Sequence, residues 1–166
     1  MLAKLWHKVF HTRLVFCLLF IAMIVLVDQL TKCLVLEKLS GGVKSITVTP
    51  FLNIVLVWNK GVTFGMLNNP DWYSFMPYVL IALAAAIVAL LIRWMLRTSS
   101  FIVSFALALV IGGAVGNIID RIIHGAVLDF LDFHYAGYHW YAFNIADAAI
   151  VIGVALLFLD TVIRGR

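Results

Sequence analysis

Four of the chain's eight acidic residues, Asp120, Asp129, Asp132 and Asp147, crowd into the stretch from Ile111 to Asp147, between two long apolar segments. A carboxylate beside the hydrocarbon of a bilayer is costly to hold there, so such residues are functional suspects by default. The chemistry they offer is proton transfer. Two carboxylates within a few ångströms of each other cannot both ionise, and they hold one proton between them. The ionised member takes a proton from water, while the protonated one polarises a carbonyl and then donates to the leaving amine. Asp129 and Asp147 suit such a pair. Val127-Leu128-Asp129-Phe130-Leu131-Asp132-Phe133 alternates like a short strand, which sets Asp129 on one face with Val127 and Leu131 and turns Asp132 to the other. An acid among apolar neighbours keeps its proton longer; Asp132 is expected to be solvated. Asp147 has two readings that both stand at this point. With Asn144 as N-cap it completes a capping arrangement favoured by the helix dipole. The small residues Ala146, Ala148 and Ala149 also leave room beside it for a peptide.

Other polar residues share this neighbourhood. Asn117 and Arg121 are four apart and lie on one helix face. Asp120 and Arg121, at the expected helix end, read as an interfacial ion pair, and Arg121 also offers five donors to a peptide or a phospholipid head group. Gly112 and Gly116 form a GxxxG face for close helix approach. Asp28 and Lys32 are a self-neutralising i,i+4 pair that reads as structural support. Asn59-Lys60-Gly61 is a turn signal; Asn59 is either a turn former or a side chain reaching into the site. His124, His134 and His139 lie in or near loops without an HExxH helix, and no metal site is expected of them. Cys17 and Cys33 would stand roughly 24 Å apart on one helix, beyond disulfide reach, and are expected to pack.

These residues need elements to position them. The chain is 64% hydrophobic and 12% charged with a mean hydropathy of +1.09, a composition that excludes an ordinary soluble domain. Its 166 residues read as a single integral membrane domain. The net charge of +4 comes from scattered basic residues with no basic run, which argues for membrane orientation and against nucleic-acid binding. Four segments are apolar enough to cross a bilayer: 14–36, 73–92 with Pro77 in its first turns, 101–119 and 143–163. The first imitates a signal peptide, with Lys4, Lys8 and Arg13 before it. No small-x-small cleavage site follows, so it is read as an uncleaved span. Residues 93–100 read as a tight turn.

With the N-terminus inside, seven basic residues fall on the cytoplasmic side (Lys4, Lys8, Arg13, Arg93, Arg97, Arg164, Arg166) and five outside. That lean places both termini in the cytoplasm. Of the acids only Asp160 is then cytoplasmic, so function belongs on the outer face. At about 1.5 Å per residue, Asn117 and Asp147 each lie roughly 24 Å across the membrane and Asp28 roughly 21 Å, a single level below the outer interface. The outer loop 37–71 reads as β structure, with strands at Ile46–Thr49 and Phe51–Trp58 and a possible return at Val62-Thr63-Phe64. A second outer loop spans 120–142. The fold class is an all-α polytopic membrane protein, four transmembrane helices with a small extracytoplasmic β-sheet packed on the helix ends.

Five motifs occur in order: Asp28-Gln29-x-Thr31-Lys32, Asn59-x-Gly61-x-x-Phe64, Gly112-Gly113-Ala114-x-Gly116-Asn117-x-x-Asp120-Arg121, Val127-x-Asp129-Phe130 and Phe143-Asn144-x-Ala146-Asp147. Together they resemble the bacterial lipoprotein signal peptidase (signal peptidase II) family over the whole chain. Val62 and Thr63 depart from it, standing where the family usually has small residues. The resemblance implies an aspartic endopeptidase of the bacterial inner membrane. It would cut signal peptides from diacylglyceryl-modified prolipoproteins just before the lipidated cysteine, with no metal or organic cofactor. It also implies Asp129 and Asp147 as the catalytic pair, with Asn59, Gly61, Asn117, Asp120, Arg121, Asn144 and Ala146 binding substrate or supporting the pair. Expected partners are the lipid-modified substrate and membrane phospholipid, with the protein a monomer. A proton-coupled transporter would need ionisable groups at several depths; a lipoprotein chaperone would share the cleft without the chemistry.

Overall fold

A computed structural model describes residues 2–61 and 70–165, with side chains placed for 11–61 and 75–165. The apolar segments are helices: α1 (Leu2–Leu39), α2 (Pro70–Arg97), α3 (Phe101–His124) and α4 (Ile145–Arg164). All four are long and apolar enough to span a membrane. They run past the apolar stretches that announce them, because hydropathy fades at the interface while hydrogen bonding continues to the caps. α2 continues through Arg93-Trp94-Met95-Leu96 to Arg97, so the turn expected over residues 93–100 is confined to Thr98-Ser99-Ser100. Ser100 caps α3 by accepting from the Val103 N–H at 3.3 Å. α3 ends only where Gly125 takes the left-handed conformation (φ 69°) and its N–H reaches the Arg121 carbonyl. Asp120 and Arg121 therefore sit a turn inside α3.

α3 is the axis of the bundle. Ala106, Leu107, Ala108 and Ile111 are buried, whereas α1, α2 and α4 turn large apolar side chains such as Leu19, Leu83 and Val151 outward. Small residues set how closely the helices approach. A Cβ on Gly112 would stand 3.0 Å from Ile24 Cβ of α1, one on Gly116 2.7 Å from Asp28 Oδ2, and one on Gly153 2.6 Å from the Ala106 carbonyl. Gly113 lies directly on the Ala146 carbonyl of α4. The expected GxxxG face thus meets α1, and the intervening Gly113 meets α4. Cys17 packs in the core; Cys33 is exposed, contrary to expectation, on the outer surface of α1.

At the end of the bundle where α1 and α3 finish, β1 (Ser45–Thr49), β2 (Leu52–Asn59), β3 (Val127–Tyr135) and β4 (Tyr138–His139) form, among the described residues, an antiparallel sheet in that order. The expected return strand at Val62-Thr63-Phe64 lies outside the described residues. β2 pairs with β3, so the two long connections share one sheet. Leu128 and Phe130 of β3 pack with Val35 and Leu39 of α1, which fixes the sheet to the helix ends. Residues 127–130 are buried on both faces, and alternation does not predict exposure there. Asp132 is consequently 7% exposed rather than solvated. Asn53 Nδ2 donates to it at 3.2 Å, and His139 Nδ1 lies 2.9 Å away. Burial raises its carboxyl pKa, but these hydrogen bonds, with the His139 and His134 charges, leave it below the ordinary carboxylate range.

Candidate active site

Asp129 and Asp147 meet on one asparagine. Asn144, fully buried, donates from Nδ2 to Asp129 Oδ1 at 2.7 Å, and its Oδ1 accepts the Asp147 N–H at 2.9 Å. Asp147 Oδ2 accepts the Asn144 N–H at 3.3 Å, completing the capping box, and its Oδ1 accepts from Asn117 Nδ2 at 2.8 Å. The cap and the site are one structure: the hydrogen bonds that start α4 also tie Asp147 to the asparagine that holds Asp129. The second oxygen of Asp129 accepts from Asn59 Nδ2 at 3.0 Å.

Asn59 arrives there because of a bulge. Ile54 pairs with Leu131 but Val57 pairs with Asp129, so β2 has one extra residue between them. Side chains alternate, and an unbulged strand would turn Trp58 to the face of Asp129. With the extra residue, Val57 is directly opposite Asp129 and Asn59 diagonal to it on the same face. Asn59 also serves the turn, accepting the Gly61 N–H at 2.8 Å while Gly61 takes φ 76°. Both readings of Asn59 hold.

Asp129 is 3% exposed and Asp147 is half-buried. Burial raises the Asp129 pKa to about 6, helped by the Asp147 charge and opposed by the hydrogen bonds from Asn59 and Asn144 and by the Lys32 charge. A buried acid whose hold on its proton is strengthened, beside a more open acid, is the asymmetry acid–base hydrolysis needs.

Beneath the pair lies a buried charge cluster. Lys32 Nζ stands 2.8 Å from both Asp28 Oδ2 and Asp120 Oδ2, all three residues being nearly inaccessible. It also donates to Asn117 Oδ1 at 3.3 Å. The expected Asp120–Arg121 ion pair is replaced by this one, because Asp120 faces α1 from inside α3. Each carboxylate then holds the backbone one residue ahead of a site acid. Asp28 Oδ1 accepts the Ala146 N–H at 3.0 Å, and Asp120 Oδ2 accepts the Leu128 N–H at 3.0 Å. Gln29, to which the sequence assigned no role, donates to Asp120 Oδ1 at 2.8 Å and Asp28 Oδ2 at 3.2 Å. Its signals were its place in the motif Asp28-Gln29-x-Thr31-Lys32 and its polarity beside Asp28 within a span.

Arg121 Nη1 donates to the Asn117 carbonyl at 3.2 Å, and its charge interacts with Asp147, Asp120 and Asp129. Ala146 is fully buried, with its Cβ 3.4 Å from where a Cβ on Gly116 would stand. Its smallness lets α4 close on α3 rather than opening a cleft. Among the described residues, no cluster of three or more metal-ligating side chains has a metal-binding arrangement.

The comparisons agree with this architecture. A family model described as signal peptidase (SPase) II matches residues 20–163. The lipoprotein signal peptidase of Ralstonia nicotianae is 44% identical over 144 residues, covering 86% of this chain and 81% of that protein. That of Paraburkholderia phymatum is 43% identical over 145 residues, covering 86% and 85%. Two solved structures, both described as a bacterial membrane enzyme determined by the in meso method, superpose with TM-scores of 0.73 and 0.72 at 30% and 29% identity. They cover 87% and 89% of this chain and 91% and 87% of their own. With carboxylates, helices and relatives in accord, the chain belongs to the signal peptidase II family of peptidases.

Proposed function

We propose that this bacterial membrane peptidase removes signal peptides from prolipoproteins with Asp129 and Asp147 as its catalytic pair, cutting just before a diacylglyceryl-modified cysteine. The observation that carries the reading is Asn144, whose amide and backbone hold both carboxylates at once. Asp147, the more open acid, takes a proton from the attacking water as general base. Asp129, the buried one, keeps its proton and hydrogen-bonds the scissile carbonyl. Water oxygen adds to the carbonyl carbon, and the tetrahedral species collapses as the C–N bond breaks. The leaving nitrogen takes a proton and becomes the cysteine's free amine. Asn117, Asn144 and Asn59 orient the pair, since their amides are engaged on its oxygens. Asp28, Lys32 and Asp120 hold the backbone that carries it.

The chain works as one membrane domain and a monomer, both termini in the cytoplasm and the pair just below the outer interface. There the substrate's acyl chains stay in the bilayer and help to position the bond. Mass spectrometry of a purified lipidated prolipoprotein incubated with the enzyme tests this. The expected products are the intact signal peptide and a chain beginning at the lipidated cysteine, with the unlipidated precursor left whole. Cleavage at another bond, or equal cleavage of the unlipidated form, would overturn it.

A further inference from the structure

Behind the sheet, a groove of about 320 Å³ runs between the end of α1 and the strands. Leu34 and Val35 of α1 form one wall; Ile46 and Val48 of β1 and Phe130 of β3 form the other. Phe130 follows Asp129 in β3 and points to the opposite face, so the groove is separate from the carboxylate pair. Its two ends differ. At the inner end Thr31 turns its hydroxyl onto its own helix, donating to the Val27 and Asp28 carbonyls at 2.8 Å each. At the other end stands Lys38, exposed and, among the described residues, in no ion pair. No acid is among the described lining residues. Thr31, Leu34, Val35 and Lys38 follow helical spacing, so the groove tracks one stripe of α1 for roughly 10 Å at about 1.5 Å per residue. Its place in the fold says what covers it. α1 from His11 to Leu39 is apolar enough to span a membrane, and Leu34 and Val48, on opposite walls, are 54% and 56% exposed. Apolar side chains at the end of a span meet lipid. A helix is about 10 Å across with its side chains, too broad for a hollow of this volume, whereas an acyl chain is not. A lysine lays its stem on apolar surface and keeps its ammonium at the polar boundary, where the phosphate of a lipid lies.

We infer that this groove holds one acyl chain of an anionic phospholipid, with the lipid's phosphate on the Lys38 ammonium. The groove takes no part in cleavage, and its occupancy is read without turnover. The protein would be placed in nanodiscs containing phosphatidylglycerol with a diazirine on one acyl chain, irradiated, and its crosslinked residues mapped by mass spectrometry. Val79, exposed on α2 near the same end of the bundle, reports ordinary surrounding lipid. Label is expected on Leu34, Ile46 and Val48 in about tenfold excess over Val79, and the matching phosphatidylcholine probe should show no such excess. Lys38→Glu should remove that excess, about tenfold, while Lys38→Arg keeps it. Val48→Trp, which fills the mouth of the groove, should remove it too. All three positions of substitution are exposed, and each variant should keep the wild-type thermal transition. Label no greater than at Val79, as a groove filled by a second copy or a peptide would give, would overturn the assignment. So would equal labelling by phosphatidylcholine, or labelling unchanged in both Lys38→Glu and Val48→Trp.

Discussion

A buried carboxylic acid with a pKa of about 6 is poised to donate, and the side chains around Asp129 tune that value in opposite directions. If its proton is needed in the free enzyme, kcat/KM falls as pH rises through about 6. The Asn59 hydrogen bond lowers this pKa, so Asn59→Ala should move the falling limb upward by about one pH unit, along with a lower rate. A pH profile checks this; a limb that stays put or moves down would remove Asn59 from the tuning. Asp132 runs the other way. Its folded pKa is depressed, so its stabilising effect is present above the ordinary carboxylate value and is lost as pH falls through the folded one. Asp132→Asn should keep cleavage within about threefold, cost about 1 kcal/mol or less, and flatten the acid side of a melting-temperature profile. The site acids were legible because ionisable residues stand out in apolar sequence. What hid the surroundings of Asp132 is that His139 reaches it only across the β3–β4 hairpin, and single-strand alternation carries no information about a cross-strand neighbour.

At the scale of elements, two devices place the pair: the β2 bulge and the Lys32 cluster. Inserting an alanine between Val57 and Trp58 should bring Trp58 to the face of Asp129 in place of Asn59, lowering cleavage by about 10²-fold or more. Activity that survives the insertion would mean the register is unimportant. Lys32→Met should be worse for the fold, because Asp28 and Asp120 would remain buried without their shared cation. A loss of about 3–5 kcal/mol is expected by thermal unfolding in detergent, with activity falling alongside. The strands were readable from β-branched runs, and the capping of α4 from Asn144-x-x-Asp147. The pairing of β2 with β3 was not, since those segments come from different connections and only the folded helix ends bring them together. For the same reason Lys32 looked satisfied by Asp28 alone: its second partner, Asp120, comes from another helix.

The whole molecule is an inward-packed α3 surrounded by three lipid-facing helices, with the polar residues gathered at one end. That Asn117, Asp147 and Asp28 share one level was countable from sequence because a helix has a fixed rise per residue. The lateral arrangement was not countable, since helical periodicity leaves open which neighbour each face meets; the glycines of α3 decide that. If the sheet end faces outward, a cysteine at Ser40 should react with a membrane-impermeant maleimide in intact cells, in a Cys33→Ser background. A cysteine at Ser99 should react only after permeabilisation. The reverse pattern would invert the topology. All of this architecture serves the meeting of two acids from different parts of the chain, and single-turnover cleavage of a lipidated prolipoprotein by purified, folded Asp129→Asn and Asp147→Asn measures that most directly. Each variant should lose about 10³-fold or more while keeping the wild-type thermal transition within a few degrees. Near-normal cleavage by either variant would contradict the assignment of the pair.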